Sequence, residues 1–305
     1  MTNASRQAEM LMKGSLHTDE LMGAVAMSQA ASILRRRRPD LVLGMGGFAS
    51  GPGGLVARML GIPLVIHEQN QVPGLTNQWL SRIARRVFQA FPNTFPASRG
   101  AETCGNPVRP EISALAAPGE RLGRRQGRAR LLVVGGSLGA QALNEQVAPA
   151  VALLPTEDRP LIRHQAGERT LEVARQAYAS ARVEAEVTPF IRDMAEAYGW
   201  ADLVICRAGA LTVSELAAAG LGAILVPYPS AVDDHQTANA AYLADPGGAE
   251  ILPQSQLNAA RLGAILTRLL GDRARLLAMA EAARARAMPD AARRIAAACL
   301  AEVAP

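Results

Sequence analysis

The sequence predicts an α/β protein built from two Rossmann-like units in tandem. Short apolar runs alternate with helical stretches nearly throughout the 305 residues. That alternation is the signature of parallel sheets covered by helices on both faces. Glycine-rich or small-residue turns follow directly on several of the apolar runs. A stretch rich in Pro, Gly and Arg, between Asn106 and Gln126, interrupts the pattern and marks a boundary.

Composition narrows the classes of function. At 49% hydrophobic the chain is globular, not disordered. The net charge is +5 and almost all of the basic residues are Arg. Such an excess suits an anionic partner: a phosphorylated ligand, an acidic membrane surface or nucleic acid. Aromatics are only 4%, which disfavours a base-stacking surface for single strands. Cys104, Cys206 and Cys299 are far apart, so they form neither a disulfide framework nor a zinc spacing. A reducing cytosol is the expected compartment. Residues Met1–Ala30 mix polar and charged residues with apolar ones and do not read as a signal peptide. No apolar run is long enough to span a bilayer.

In chain order, a helix beginning near Asp19 closes in Arg35–Arg38 and carries Leu21, Met22, Val25, Met27 and Leu34. Positive charge at a helix C-terminus is favourable in itself. Apolar residues beside an Arg cluster also suit an anionic membrane surface. Both readings stand. Strands are predicted at Leu41–Met45, Leu64–His67 and Val87–Ala90. Beyond the boundary they are predicted at Leu131–Val134, Leu161–His164, Glu186–Thr188, Leu203–Cys206, Ala223–Pro227 and Glu250–Leu252. Helices are predicted at Gln141–Leu154, Glu168–Ala181, Thr212–Ala219, Gln236–Leu243, Leu257–Leu270 and Arg273–Ala287.

Three turns suit a phosphate. Gly44–Gly54 follows the first strand, Gly135–Gly139 follows Leu131–Val134, and Arg207–Ala210 follows Leu203–Cys206. Glycine lets the backbone approach a ligand, and the helix that follows offers free N–H groups. In open α/β sheets, ligands bind at the carboxyl ends of the strands. In the third turn, Thr212 and Ser214 are expected to cap a helix whose first turn carries Glu215, placed for ribose hydroxyls. A plain strand–helix junction, with Glu215 favoured by the helix dipole, is the competing reading. None of the turns matches the phosphate loop of nucleoside triphosphatases.

Two polar clusters stand out. His67-Glu68-Gln69-Asn70 ends a buried strand, where polar residues read as a site. Asp233-Asp234-His235-Gln236 starts a helix; adjacent residues there cannot all face one ion, so an acidic cap is the better reading. Gln236 and Asn239 share a face and could reach a sugar.

Several segments together resemble one family. HEQN (His67–Asn70), GLTN (Gly74–Asn77), GNPVR (Gly105–Arg109), GGSLGA (Gly135–Ala140), CRAGALTVSE (Cys206–Glu215) and DDHQTANA (Asp233–Ala240) are similar, in this order, to the MurG glycosyltransferases. The likeness runs from about Pro39 to the C-terminus. Members of this bacterial family move N-acetylglucosamine from UDP-N-acetylglucosamine to the muramoyl C4 hydroxyl of lipid I, forming lipid II for peptidoglycan. The resemblance implies a GT-B fold, two Rossmann-like domains facing across a cleft, with no metal or other cofactor. It implies residues 1–108 on the acceptor and membrane side, 109–289 on the donor side, and a last helix within 290–305 that packs back on the first.

Carried over by motif, Asn70, Arg109, Ser137 and Gln236 contact the donor, and Ile191 holds uracil through its backbone. Ala210, Leu211, Thr212, Val213 and Ser214 form the diphosphate end, with Glu215 on the ribose. Gly46, Gly47, Ser50 and Gly51 face the acceptor diphosphate. The partners implied are UDP-N-acetylglucosamine, lipid I and an anionic membrane surface, at the cytoplasmic face of the cell membrane. Nucleic acid is not among them.

One departure bears on catalysis. The family opens with a strand and a GGTGGH-type loop whose His is a candidate general base, and this chain has no such loop. Roughly fifty to sixty residues, about two strand–helix units, are expected to be absent from the first domain. The general base is therefore unassigned; His67 and Glu68 are the nearby candidates. A chain that binds the UDP-sugar without transferring it is the second reading. A sugar epimerase of the same fold is the third, and HEQN with GNPVR argues against it.

Overall fold

The computed structural model describes residues 23–136, 139–229 and 234–303. The chain divides into two compact units. The first comprises residues 23–69, Pro73–Thr103 and 293–303; the second comprises Asn70–Val72 and Cys104–Ala292.

The first unit carries helix α1 (residues 23–37) and strand β1 (Val42–Gly44). Helix α2 (Ser50–Met59), β2 (Leu64–Glu68), α3 (Leu75–Leu80), β3 (Arg86–Gln89) and β4 (Glu102–Thr103) follow. The sheet is parallel with order β1-β2-β3-β4. Its core is small: Leu64, Ile66, Leu80, Val87 and Phe95. β2 is buried along its whole length, through its apolar Leu64–Ile66 and on through the polar His67 and Glu68. β4 is a two-residue edge strand of Glu and Thr, too short and too polar to be read from the sequence.

Two short helices, α4 (Pro110–Ser113) and α5 (Pro118–Leu122), occupy the proline-rich boundary, each with its Pro in the first turn. The second unit then alternates strictly. β5 (Arg130–Val134), α6 (Gln141–Ala152), β6 (Leu161–Gln165), α7 (Leu171–Ala181), β7 (Glu186–Thr188) and α8 (Met194–Trp200) come first. β8 (Leu203–Cys206), α9 (Ala210–Ala219), β9 (Gly222–Leu225), α10 (His235–Ala244) and β10 (Ala249–Ile251) follow. Helices α11 (Ala259–Leu270) and α12 (Arg273–Arg284) complete the unit. From Arg293 onward, α13 (Ala291–Val303) belongs to the first unit, where Arg294 pairs with Glu102 at 2.5 Å and Glu302 with Arg85 at 3.2 Å.

The second sheet is entirely parallel, with order β10-β9-β8-β5-β6-β7. Numbered from its own first strand, this is the doubly wound dinucleotide-binding order. The direction of winding reverses between β5 and β8, and ligands of such sheets sit in the crevice beyond that switch point. The core below it contains Leu131, Val133, Leu143, Val147, Leu203, Ile205, Ile224 and Leu266, all fully buried.

Half-buried guanidinium groups fasten the helix ends of this unit. Arg121 donates to the carbonyls of Tyr198, Ala219 and Gly220 at 2.7–3.0 Å, and Arg125 to those of Trp200 and Ala201. These are the last carbonyls of α8 and α9, which lack intrahelical partners. Burial, and then the charges of Arg125 and Arg284, pull the Arg121 pKa down to about 10.

Candidate functional site

α9 starts two residues earlier than the sequence suggests. Its N-cap is Gly209, in extended backbone (φ −63°, ψ 142°), with no side-chain cap. Thr212 and Ser214 therefore lie inside the helix and do not cap it. The Ser214 hydroxyl instead donates back to the Ala210 carbonyl at 2.9 Å, four residues earlier. Glu215 sits in the second turn, since the first carries no acid. With no side-chain cap from Gly209, the N–H groups of Ala210, Leu211 and Thr212 lack intrahelical partners at the carboxyl end of β8, beside the switch point. A phosphate is the ligand this arrangement suits best.

Glu215 is held from two sides. Oε1 accepts from Arg109 at 2.8 Å and Oε2 from the Tyr198 hydroxyl at 3.1 Å. The Glu215 hydrogen bond raises the Arg109 pKa, keeping the guanidinium charged. Burial, then the Glu215 charge, pushes the Tyr198 phenol well above its usual range, so it stays a hydrogen-bond donor. The same two causes move Cys206, at the end of β8, up to about 12 and keep its thiol protonated. Asn106 bridges to the helix as well, donating to Ser214 Oγ at 3.0 Å.

The neighbouring loops converge on the same edge of the sheet. The Gly135 N–H donates to the Gln165 carbonyl at 2.9 Å. Gly139 has φ 81°, and a side chain there would collide with the Thr170 hydroxyl and the Ala166 carbonyl, so glycine is required. Ser137, between them, lies outside the described residues. Ile191, in the loop after β7, donates its N–H to Gln165 Oε1 at 3.0 Å. A cavity of about 470 Å³ opens between Gly139, Thr170, Arg207, Tyr228, Gln236 and Gln254. Arg207 donates to Gln254 Oε1 at 2.5 Å and to the Val226 carbonyl at 3.2 Å, and its guanidinium lies 5.4 Å from the Tyr228 ring centre. Gln236 accepts from the Tyr228 N–H at 2.9 Å.

Gln236 and Asn239 do not share a role. Asn239 is fully buried and spends its amide on structure. Its Oδ1 accepts from the Gln71 N–H at 2.8 Å, and its Nδ2 donates to Asn70 Oδ1 at 3.2 Å and to the Ala208 carbonyl. Asn70 is thereby held beside the β8–α9 turn. Asp233 lies outside the described residues. Asp234 sits in left-handed backbone and accepts from the Thr237 hydroxyl, with no side-chain cap on α10. The acidic cap expected at this helix is thus not formed by Asp234. Among the described residues no group of three His, Cys, Asp or Glu side chains is placed to hold a metal.

In the first unit, Gly46 and Gly47 take φ values of 79° and 76°, and Ser50 Oγ closes the turn on the Gly46 carbonyl at 2.6 Å. Gly51 lies in the first turn of α2. A side chain on Gly46 would press on Asn77 and Gln69 at 3.3 Å. His67 is fully buried, with Nδ1 3.1 Å from Gln69 Nε2. Glu68 is 3% exposed; its Oε2 accepts from Asn77 Nδ2 at 2.8 Å and the Gly74 N–H at 3.2 Å. Both side chains hold the loop that leaves β2.

A doubly wound parallel sheet with an open helix N-terminus and a clamped carboxylate at its switch point defines a nucleotide-sugar transferase of the GT-B type. Residues 130–295 match the glycosyltransferase family 28 C-terminal domain, and residues 11–89 its N-terminal domain. The chain belongs to glycosyltransferase family 28. It is 56% identical to the UDP-N-acetylglucosamine–N-acetylmuramyl-(pentapeptide) pyrophosphoryl-undecaprenol N-acetylglucosamine transferase of Marinobacter nauticus, over 90% of this chain and 76% of that one. It is 57% identical to the protein of that name from Methylococcus capsulatus, over 92% and 78%. The crystal structure of MurG from Acinetobacter baumannii aligns with a TM-score of 0.81 at 45% identity, covering 90% of this chain and 77% of that one. A Neisseria meningitidis UDP-GlcNAc 2-epimerase bound to UDP-GlcNAc aligns at 0.62 with 12% identity over 92% and 81%, a likeness of fold alone.

Proposed function

We propose that this chain transfers N-acetylglucosamine from UDP-N-acetylglucosamine to the muramoyl C4 hydroxyl of lipid I, giving lipid II. The observation that carries the reading is the β8–α9 junction, where an uncapped helix N-terminus meets a Glu215 already fixed by Arg109 and Tyr198. The donor diphosphate lies on the N–H groups of Ala210, Leu211 and Thr212, with Val213 and Ser214 behind them. Glu215 takes the ribose hydroxyls, Ile191 the uracil, and Asn70, Arg109, Ser137 and Gln236 complete the donor site. The glycine turn at Gly46, Gly47, Ser50 and Gly51 meets the acceptor diphosphate.

The reaction is a single inverting displacement. The acceptor oxygen bonds to the sugar C1 as the bond from C1 to the β-phosphate oxygen breaks. UDP departs with the electron pair, and the hydroxyl proton goes to a base. The negative charge that grows on the leaving diphosphate is met by helix N–H groups that need no reorganisation. The partial commitment of His67 and Glu68 to the β2 loop supports a positioning role for both. An anionic membrane surface is the docking partner, through the first unit. There Leu75 and Trp79 are 71% and 67% exposed, and Arg82 lies 4.5 Å from the Trp79 ring centre. Exposed apolar residues beside a cation suit a headgroup boundary. No helix among the described residues is long and apolar enough to cross a membrane. The likeness to the family, with this surface, supports a peripheral site of action on the cytoplasmic face.

The test is transfer of labelled N-acetylglucosamine to a lipid I analogue. Formation of a β-linked disaccharide is expected. Donor binding without any product would replace the transferase reading with the binding one, and absence of both would overturn the donor site.

A further inference from the structure

Gln165 is the last residue of β6 and is 3% exposed. It touches two loops at once. Its carbonyl accepts from the Gly135 N–H at 2.9 Å, at the start of the glycine turn after β5. Its side-chain Oε1 accepts from the Ile191 N–H at 3.0 Å, in the loop after β7. β6 lies between β5 and β7 in the sheet, so one residue spans the two connections that flank it. The main chain adds two parallel ties to the β7 loop: Ala166 N–H to the Thr188 carbonyl at 2.9 Å and Gly167 N–H to the Pro189 carbonyl at 3.1 Å. Those ties stop at Pro189. Among the described hydrogen bonds, the Gln165 side chain alone carries the fastening on to Ile191.

We infer that Gln165 is a positioning residue for base recognition: it fixes the Ile191 peptide group against which the nucleotide's pyrimidine lies. The inference rests on the proposed donor site and deepens it. With its N–H already spent on Gln165, the loop keeps one orientation before the ligand arrives, which lowers the cost of binding. Without the Oε1 acceptor, a partly buried N–H is left unpaired and the peptide is free to turn. The loss falls on ligands that carry the base and spares those that engage only the phosphate end.

The experiment is titration calorimetry on the full chain and on Gln165→Leu and Gln165→Glu, with UDP and with N-acetylglucosamine 1-phosphate. Gln165→Leu is expected to weaken UDP by about tenfold or more. Its affinity for the sugar phosphate should stay within about twofold, and its melting temperature should fall by only roughly 2–6 °C, the cost of the unpaired Ile191 N–H, because the strand ladder is untouched. Gln165→Glu keeps an acceptor oxygen and should restore most of the UDP affinity. Equal losses for both ligands, or no loss for UDP, would overturn the inference while leaving the donor site standing. Failure of the unsubstituted chain to bind UDP would overturn the donor site itself.

Discussion

In the six-stranded unit Leu131, Leu203, Ile205 and Ile224 are wholly buried, while in the four-stranded unit Phe48, Met59, Leu75 and Trp79 are 67–78% exposed. The first arrangement fixes the backbone at a switch point, so that N–H groups and a carboxylate are in place before a ligand binds. The second keeps Phe48, beside the left-handed Gly46–Gly47 turn, and apolar side chains of α2 and α3 at the surface. In the proposed function, the first arrangement suits a small charged donor held rigidly, and the second suits a larger amphipathic acceptor and the membrane that carries it.

Substitutions sharpen the contrast. Ile205→Ala, in the middle of β8, should cost about 2–5 kcal/mol in chemical denaturation. A loss below about 1 kcal/mol would mean that the core under the donor site is not the rigid one described. The buried triad of Asn144, His164 and Tyr178 gives a second handle. His164 Nε2 lies 2.9 Å from Asn144 Oδ1, and Nδ1 lies 3.0 Å from the Tyr178 hydroxyl. Burial lowers its pKa from 6.5 to about 4. A neutral native His takes up no proton where the unfolded chain does. Stability is therefore whole above about pH 6.5 and declines as pH falls towards 4, by about 3 kcal/mol in all. His164→Asn should be less stable at neutral pH but should flatten that decline; an unchanged slope would contradict the assignment.

Arg109→Ala removes one clamp from Glu215 and should weaken UDP-N-acetylglucosamine roughly tenfold to a hundredfold, measured by calorimetry. Trp79→Ala should change stability by less than about 0.5 kcal/mol. It should nevertheless lower sedimentation with vesicles of anionic lipid; unchanged sedimentation would remove α3 from the membrane surface.

Much of the fold was legible because buried parallel strands are uninterrupted apolar runs, as in Leu131–Val134 and Leu203–Cys206. β4 was not legible, because two polar residues at a sheet edge have no pattern to show. The start of α9 was misplaced because Thr212 and Ser214 look like caps, whereas Gly209 supplies the extended backbone that begins the helix. Glu215 was found by its place near a helix start, but its clamp was not. Tyr198 lies on α8, a seven-residue helix not among those predicted from the sequence, so nothing marks it as a partner of Glu215. Gln165 could have been found. His164-Gln165 ends a buried strand in polar residues just as His67-Glu68 does, and the same rule applies to both.

The claim that the six-stranded unit alone fixes the donor is tested most directly by hydrogen exchange with and without UDP-N-acetylglucosamine. Added protection is expected in Gly135–Gly136, Gln165–Gly167, Pro189–Ile191 and Arg207–Ser214, with Val42–Met59 unchanged. Protection confined to Val42–Met59, or none in Arg207–Ser214 at saturating donor, would contradict it.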